Sequence, residues 1–151
     1  LFPAGLQWYW RADFVGDISD DAIRVHEKYG PLMPTPGSTM HLYPIDGAVH
    51  DVGESDTAFA YRSAGWAAVI VGVDPEPSSA DALREWAVSY QEELHPTALQ
   101  GAYVNFINAV GEKELEAAYP ASTLEKLRHA KAKYDPTNLF RMNQNISPSN
   151  Q

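Results

Sequence analysis

An alternation of apolar and polar residues near the start constrains this chain more than any other feature. Across residues 6–14, Leu6, Trp8, Trp10, Ala12 and Phe14 fall on one side of an extended backbone, and Gln7, Tyr9, Arg11 and Asp13 fall on the other. A period of two sustained that long predicts a half-buried β-strand, with a polar side that is either solvated or functional. Two later stretches repeat the pattern. Residues 38–43 set Thr39, His41 and Tyr43 opposite Met40 and Leu42. Residues 66–73 set Val69, Val71 and Val73 opposite Trp66, Ala68, Ile70 and Gly72, and the valine row suits packing beneath a helix. Residues 58–62 are expected to extend the sheet as a hairpin turning at Ser63, Ala64 and Gly65.

Helical patterns stand between and after these stretches. Ser19 can cap a helix with Ile18 and Ile23 at staple positions, and Gly30 supplies its stop. Pro31, Pro34 and Pro36 then forbid regular structure up to Gly37. Ser78 and Asp81 resemble a capping box for a helix that runs to His95, and Leu83, Trp86, Ala87, Tyr90 and Leu94 make its core stripe. Residues 101–106 read as extended, with Tyr103 and Asn105 on one side and Val104 and Phe106 on the other. A short helix is expected over residues 112–118. Another follows, opened by the capping pair Ser122 and Glu125, striped by Leu124, Leu127 and Ala130, and ended by Asp135 and Pro136. Lys131 and Lys133 suit the negative end of that helix. Helices beside an antiparallel sheet give an α+β architecture.

The bulk properties narrow the function classes. At 151 residues the chain is one domain in size and can bury a core. A formal charge of -9 argues against nucleic acid or an anionic membrane as partner, because both need a basic surface. Cysteine is absent, so neither disulfide nor thiolate chemistry is available within the chain. No apolar run reaches membrane-span length and no signal-like stretch opens the chain, which leaves cytoplasmic and secreted locations and the oligomeric state open. Strand-like sequence begins within a few residues of Leu1, so the start is expected to be either a cut inside a longer protein or a trimmed end. Asp46, His50, Asp51, Glu54 and Asp56 gather donors in one loop, but no H-x-H or H-x-x-x-H pair fixes a geometry and no metal is assigned. Phosphate loops, nucleophile elbows and zincin motifs are absent too.

The closing residues are recognisable. Residues 124–148, with Tyr134, Asp135, Pro136, Asn138, Leu139 and Phe140 followed by Asn143, Gln144 and Asn145, resemble the final segment of berberine bridge enzyme-like FAD-linked oxidases. Tyr103, Asn105 and Phe106 resemble the family's Tyr-x-Asn-(Tyr/Phe) element. Gly47 and Ala48, then Thr57, Ala58, Phe59, Tyr61 and Arg62, resemble its Gly-Gly and Thr-Ala-Phe-x-His-Arg stretches. The resemblance implies that residues 1–110 are part of a substrate-binding α+β domain, and that residues 111–151 form the segment that packs on an FAD-binding domain of the same protein. FAD is the implied cofactor, and it would require that further domain.

The implied activity is oxidation of an alcohol or similar C–H bond by hydride transfer to flavin, with oxygen as acceptor. The alternative is a stand-alone small-molecule binding or scaffold domain without flavin, and a metal enzyme using His41 or His50 is a third reading. By resemblance, Tyr103 is the catalytic base and Asn105 and Asn145 contact the cofactor. A phenol ordinarily titrates near pH 10, so a basic Tyr needs cationic or hydrogen-bonding help, for which Arg11 and Arg62 are available. His41 and Tyr43 are the remaining polar groups expected on the sheet face, with Tyr61 in place of the family's His. Phe106 rules out a second tyrosine in the motif. Positions that are polar in plant members are expected at Ala68 and Ile70, implying a substrate less hydroxylated than a sugar.

Overall fold

Three strands carry the architecture: β1 (Gln7–Val15), β2 (Thr39–Pro44) and β3 (Trp66–Asp74). In the computed structural model, which describes residues 4–99, 101–106 and 111–149, they form one antiparallel sheet in the order β1-β3-β2. Trp10 pairs with Val71, and Thr39 meets the same valine from the other side. A central strand has neighbours on both edges and layers on both faces, so β3 is buried continuously from Ala67 to Val73. Leu99 adds a single bridge to Phe14 on the outer edge of β1.

Among the described residues four α-helices accompany the sheet: α1 (Asp20–Tyr29), α2 (Ala80–Leu94), α3 (Glu112–Ala118) and α4 (Ala121–Tyr134). This is the α+β arrangement expected from the sequence. Ser19 caps α1 as anticipated, its hydroxyl accepting from the Ala22 amide at 3.2 Å. The stripe of α2 is buried at all of Leu83, Trp86, Ala87, Tyr90 and Leu94. α1 lies against α2, with Tyr29 stacked on Tyr90 at 4.8 Å and the Trp86 indole donating to the Tyr29 carbonyl.

Several local expectations are corrected. The face of β3 beneath α2 is Ala68, Ile70 and Gly72, not the valine row. Both rows are apolar, so periodicity could not choose between them. Side-chain volume does: Gly72 lets Leu83 approach so closely that a Cβ there would lie 2.9 Å from it. Residues 58–62 form no strand, because both edges of β3 are already occupied and the Arg62 amide turns back to the Ala60 carbonyl at 2.9 Å. Gly30 sits in right-handed helical geometry and leads into a tighter turn over residues 30–32. α2 and α4 start without a side-chain cap, from Ser79 and Pro120 respectively. In α4 the buried residues are Thr123 and Leu124, while Leu127 is half-buried and Ala130 exposed. The expected boundary between residues 110 and 111 adjoins residues 107–110, which lie outside the described ones, as does the chain start at Leu1.

Candidate functional site

The two faces of the sheet differ in kind. One is closed by α2. The other carries no α-helix among the described residues, and its central residues Ala12, Val69 and Val71 are covered by the aromatic side chains of Trp8, Trp10 and Phe106. Trp10 and Phe106 stack with planes 8° apart, and Tyr43 lies 20° from Phe106 at 6.4 Å. At the end of this face a cavity of about 580 Å³ opens between the sheet, the loop after β2 and residues 103–106. Phe14, Tyr43, Phe59, Arg62, Tyr103 and Phe106 are among its walls.

Residues 103–106 reach this cavity by a turn rather than as extended chain. The Phe106 amide donates to the Tyr103 carbonyl at 2.9 Å, and residues 104–106 form a short 3-10 turn. The correction leaves the main pairing intact. The Asn105 carboxamide Nδ2 donates to the Tyr103 phenol oxygen at 2.9 Å. Because Asn105 is the donor, the phenol's own hydrogen is not used in that bond and can be aimed at another acceptor. The Tyr103 ring is held edge-on against Phe14, Phe59 and Phe106, at 6.0, 6.5 and 5.1 Å respectively.

Beneath it lies Tyr61. Its ring stacks on Phe14 at 4.6 Å, its hydroxyl donates to the Ala117 carbonyl at 2.7 Å, and its partial burial raises the phenol's pKa. The Ala102 amide donates to that same carbonyl at 3.0 Å. Gly101 is required where the chain crosses this ring, since a Cβ there would lie 1.9 Å from Tyr61 Cε1. Tyr61 therefore supports the segment bearing Tyr103 from below; it is not among the walls of the 580 Å³ cavity but shares a smaller one, about 160 Å³, with Phe14, Phe59 and Tyr103. The sequence offered a signal for this in Gly101, but not the identity of its neighbour.

The other expected residues divide. Tyr43 shares the cavity, and His41 stacks on it at 5.5 Å with its Nε2 buried and unpartnered among the described residues. Arg62 is a wall residue whose three nitrogens are engaged, Nε with the Phe59 carbonyl, Nη1 with the Val49 carbonyl and Nη2 with Thr57 Oγ1. Arg11 is elsewhere. It lines a separate cavity along β1, 5.3 Å over the Tyr9 ring, with Asp13 and His95. Ala68 and Ile70 are 1% exposed beneath α2, so they cannot touch a ligand on the open face, where β3 presents Ala67, Val69 and Val71 instead. Asn145 lies in the tail after α4, its carbonyl oxygen buried without a partner among the described residues. The His50 ring nitrogen bonds the Ala64 carbonyl at 3.2 Å, and no group of three metal-type donors forms among the described residues.

Sequence reading missed the buried Asp13 carboxylate, which accepts from Gln91 at 2.9 Å and pairs with His95 Nδ1 at 2.9 Å. Burial raises its pKa, against the opposing pull of those two partners. Its partners are 78 and 82 residues away, so no local spacing could have revealed them.

The open face fits one side of a flavin site. It offers a flat aromatic wall, and the unpartnered His41 Nε2 can give or take a hydrogen bond at its edge. The chain has no glycine-rich loop for a pyrophosphate, so the fit concerns the ring and substrate side alone.

Residues 102–147 match the family model described as berberine and berberine like, a stretch that includes Tyr103 and Asn105. An FAD-linked oxidoreductase of Dictyostelium discoideum is 28% identical over 148 residues, covering 97% of this chain and 32% of that protein. The FAD-linked oxidoreductase anuG of Penicillium roqueforti is 33% identical over 145 residues, covering 91% and 27%. The fold is similar to that of Physcomitrella patens BBE-like 1, with a TM-score of 0.80 at 23% identity over 95% of this chain and 31% of that one. The chain thus spans about a third or less of the length of these relatives. On sequence and fold together, the chain is similar to part of the berberine bridge enzyme-like FAD-linked oxidoreductases, with the family match lying in residues 102–147.

Proposed function

We propose that this chain forms the substrate-side wall of an FAD-dependent oxidoreductase, in which Tyr103 takes the hydroxyl proton as an alcohol or similar C–H bond is oxidised. The observation that carries the reading is the Asn105–Tyr103 hydrogen bond at the cavity mouth. It fixes the phenol oxygen of a cavity-wall residue from one side and leaves the phenol's own hydrogen free to exchange with a ligand. When bound, the flavin would supply the hydride acceptor, with oxygen as the final oxidant. This chain's own part is positional and protic. Phe14, Phe59 and Phe106 hold the Tyr103 ring and exclude water around it, and the Asn105 carboxamide orients its oxygen.

An FAD-binding domain of the same protein is the proposed partner. Residues 111–151 are the proposed contact segment, since Tyr134, Leu139, Phe140 and Met142 expose large apolar side chains at 73% or more. Lys131 pins the tail by bonding Asp135 and the Phe140 carbonyl, each at 2.5 Å. Asn145, with its unpartnered buried oxygen, is the proposed tail contact to the cofactor.

The test is Tyr103→Phe in the intact flavoprotein. Flavin content is expected to be unchanged, while substrate reduces the flavin roughly 100- to 10,000-fold more slowly, the usual contribution of a general base. Unchanged reduction kinetics would remove Tyr103 from that role.

A further inference from the structure

We infer, resting on the role proposed for Tyr103, that Asp13 and His95 are positioning residues for the reaction: their bond holds the segment that carries Tyr103 against β1. That segment starts on one side of the sheet and ends on the other. α2 ends at Leu94 on the face it closes, whereas Tyr103 and Phe106 stand among the rings of the open face. The chain between them rounds the outer edge of β1, where Leu99 bridges to Phe14. Asp13 and Phe14 are consecutive residues of β1, so their side chains lie on opposite faces. Asp13 takes hold where the segment begins, accepting from Gln91 Nε2 and pairing with His95 Nδ1, each at 2.9 Å. Phe14 takes hold further on. Its carbonyl accepts from the Leu99 amide at 2.8 Å, and its ring meets Tyr103 edge-on.

Individual bonds weigh heavily here because close packing is incomplete. A cavity of about 470 Å³ lies along this stretch of β1, with Asp13, His95, Gly101, Ala102 and Phe106 among its walls. Beside such a space the path of the chain depends on the points where it is tied down. Asp13 is 3% exposed, and a buried carboxylate is costly unless donors meet it. An apolar residue would fill the place without that cost; what the carboxylate adds is a fixed direction for two donors. An ionised carboxylate only accepts, so it sets the hydrogen of His95 on Nδ1. It thereby fixes the ring at the point where α2 gives way to the turn His95–Thr97.

The experiment changes His95 in the intact flavoprotein, because its side chain is 40% exposed and lies outside the α2 core. His95→Ala removes the donor to Asp13, and His95→Asn returns one, with Nδ2 in the place of Nδ1. His95→Ala is expected to slow flavin reduction about tenfold, the scale of one hydrogen bond to a charged group, and His95→Asn to recover most of that loss. In a Tyr103→Phe background the same His95→Ala change should slow reduction less than about twofold, since a residue acting through Tyr103 has nothing left to position. Placement is read without turnover by 3-fluorotyrosine at position 103, whose 19F resonance should move in His95→Ala and return in His95→Asn. A resonance that His95→Ala leaves in place would overturn the inference. So would slowing that His95→Asn does not relieve, which would assign the effect to the ring rather than to its bond with Asp13. Where Tyr103→Phe itself slows reduction, an equal further slowing by His95→Ala in both backgrounds would overturn it too. A resonance that moves while Tyr103→Phe reduces flavin at the parent rate would remove the base role alone and leave the placement standing.

Discussion

The two faces of one sheet solve different problems with similarly apolar residues. Beneath α2, small residues on β3 receive large ones from the helix, and every position on the α2 stripe is sealed. On the opposite face the valines are just as buried, but aromatic rings supplied by β1 and by the turn at residues 103–106 cover them, and the rings themselves stay partly exposed. The difference teaches where stability and chemistry are divided. The helix side is a closed core, where each removed atom leaves a void. The helix-free side is, in the function proposed above, the surface a ligand touches.

That contrast can be broken, starting with the largest effect. Leu94→Ala removes a side chain 1% exposed in the α2 core and should destabilise the fold by about 2–5 kcal/mol, read as a shift in denaturation midpoint. A shift below about 1 kcal/mol would show that the helix side is not a close-packed core. Next come two glycines, one on each side. Gly72→Ala would crowd Leu83 and is expected to cost about 1–3 kcal/mol of stability while leaving the kinetics of correctly folded protein unchanged. Gly101→Ala would collide with the Tyr61 ring and should slow flavin reduction even after correction for any loss of folded protein. Kinetics that respond equally to both changes would erase the division.

The smallest effect is a pH dependence confined to the helix side. The His26 ring bonds the Tyr90 hydroxyl at 2.7 Å, and burial lowers its pKa below the ordinary 6.5. A histidine whose folded pKa is depressed stabilises the fold above the unfolded pKa, and that contribution is lost as pH falls through the folded value. Thermal midpoints measured from pH 8 to pH 5 should therefore fall less steeply in His26→Asn than in the parent. Parallel curves would exclude His26 as a source of the slope.

The sequence made the strands legible because alternation survives wherever one neighbour is polar, as in Gln7, Tyr9 and Arg11. The stripe of α2 was legible for the same reason, through its helical period. What could not be read was the side of β3 that meets α2, since Val69 and Ile70 are equally apolar and only the volume of Leu83 against Gly72 decides it. In the site, the adjacency of Tyr103 and Asn105 was anticipated, although a 3-10 turn produces it. The contacts of Arg11 and Tyr61 could not be read, because facing depends on partners distant in sequence, among them Ala117 for Tyr61.

The most direct test of the account is Asn105→Ala in the intact flavoprotein. Asn105 is exposed, and its side chain bonds Tyr103 within its own turn, so the change should leave the thermal midpoint where it was. Losing one orienting hydrogen bond of ordinary strength corresponds to flavin reduction slower by roughly tenfold. A slower reduction with an unchanged midpoint is the predicted result. An unchanged reduction rate would contradict the claim that this pair works on the open face.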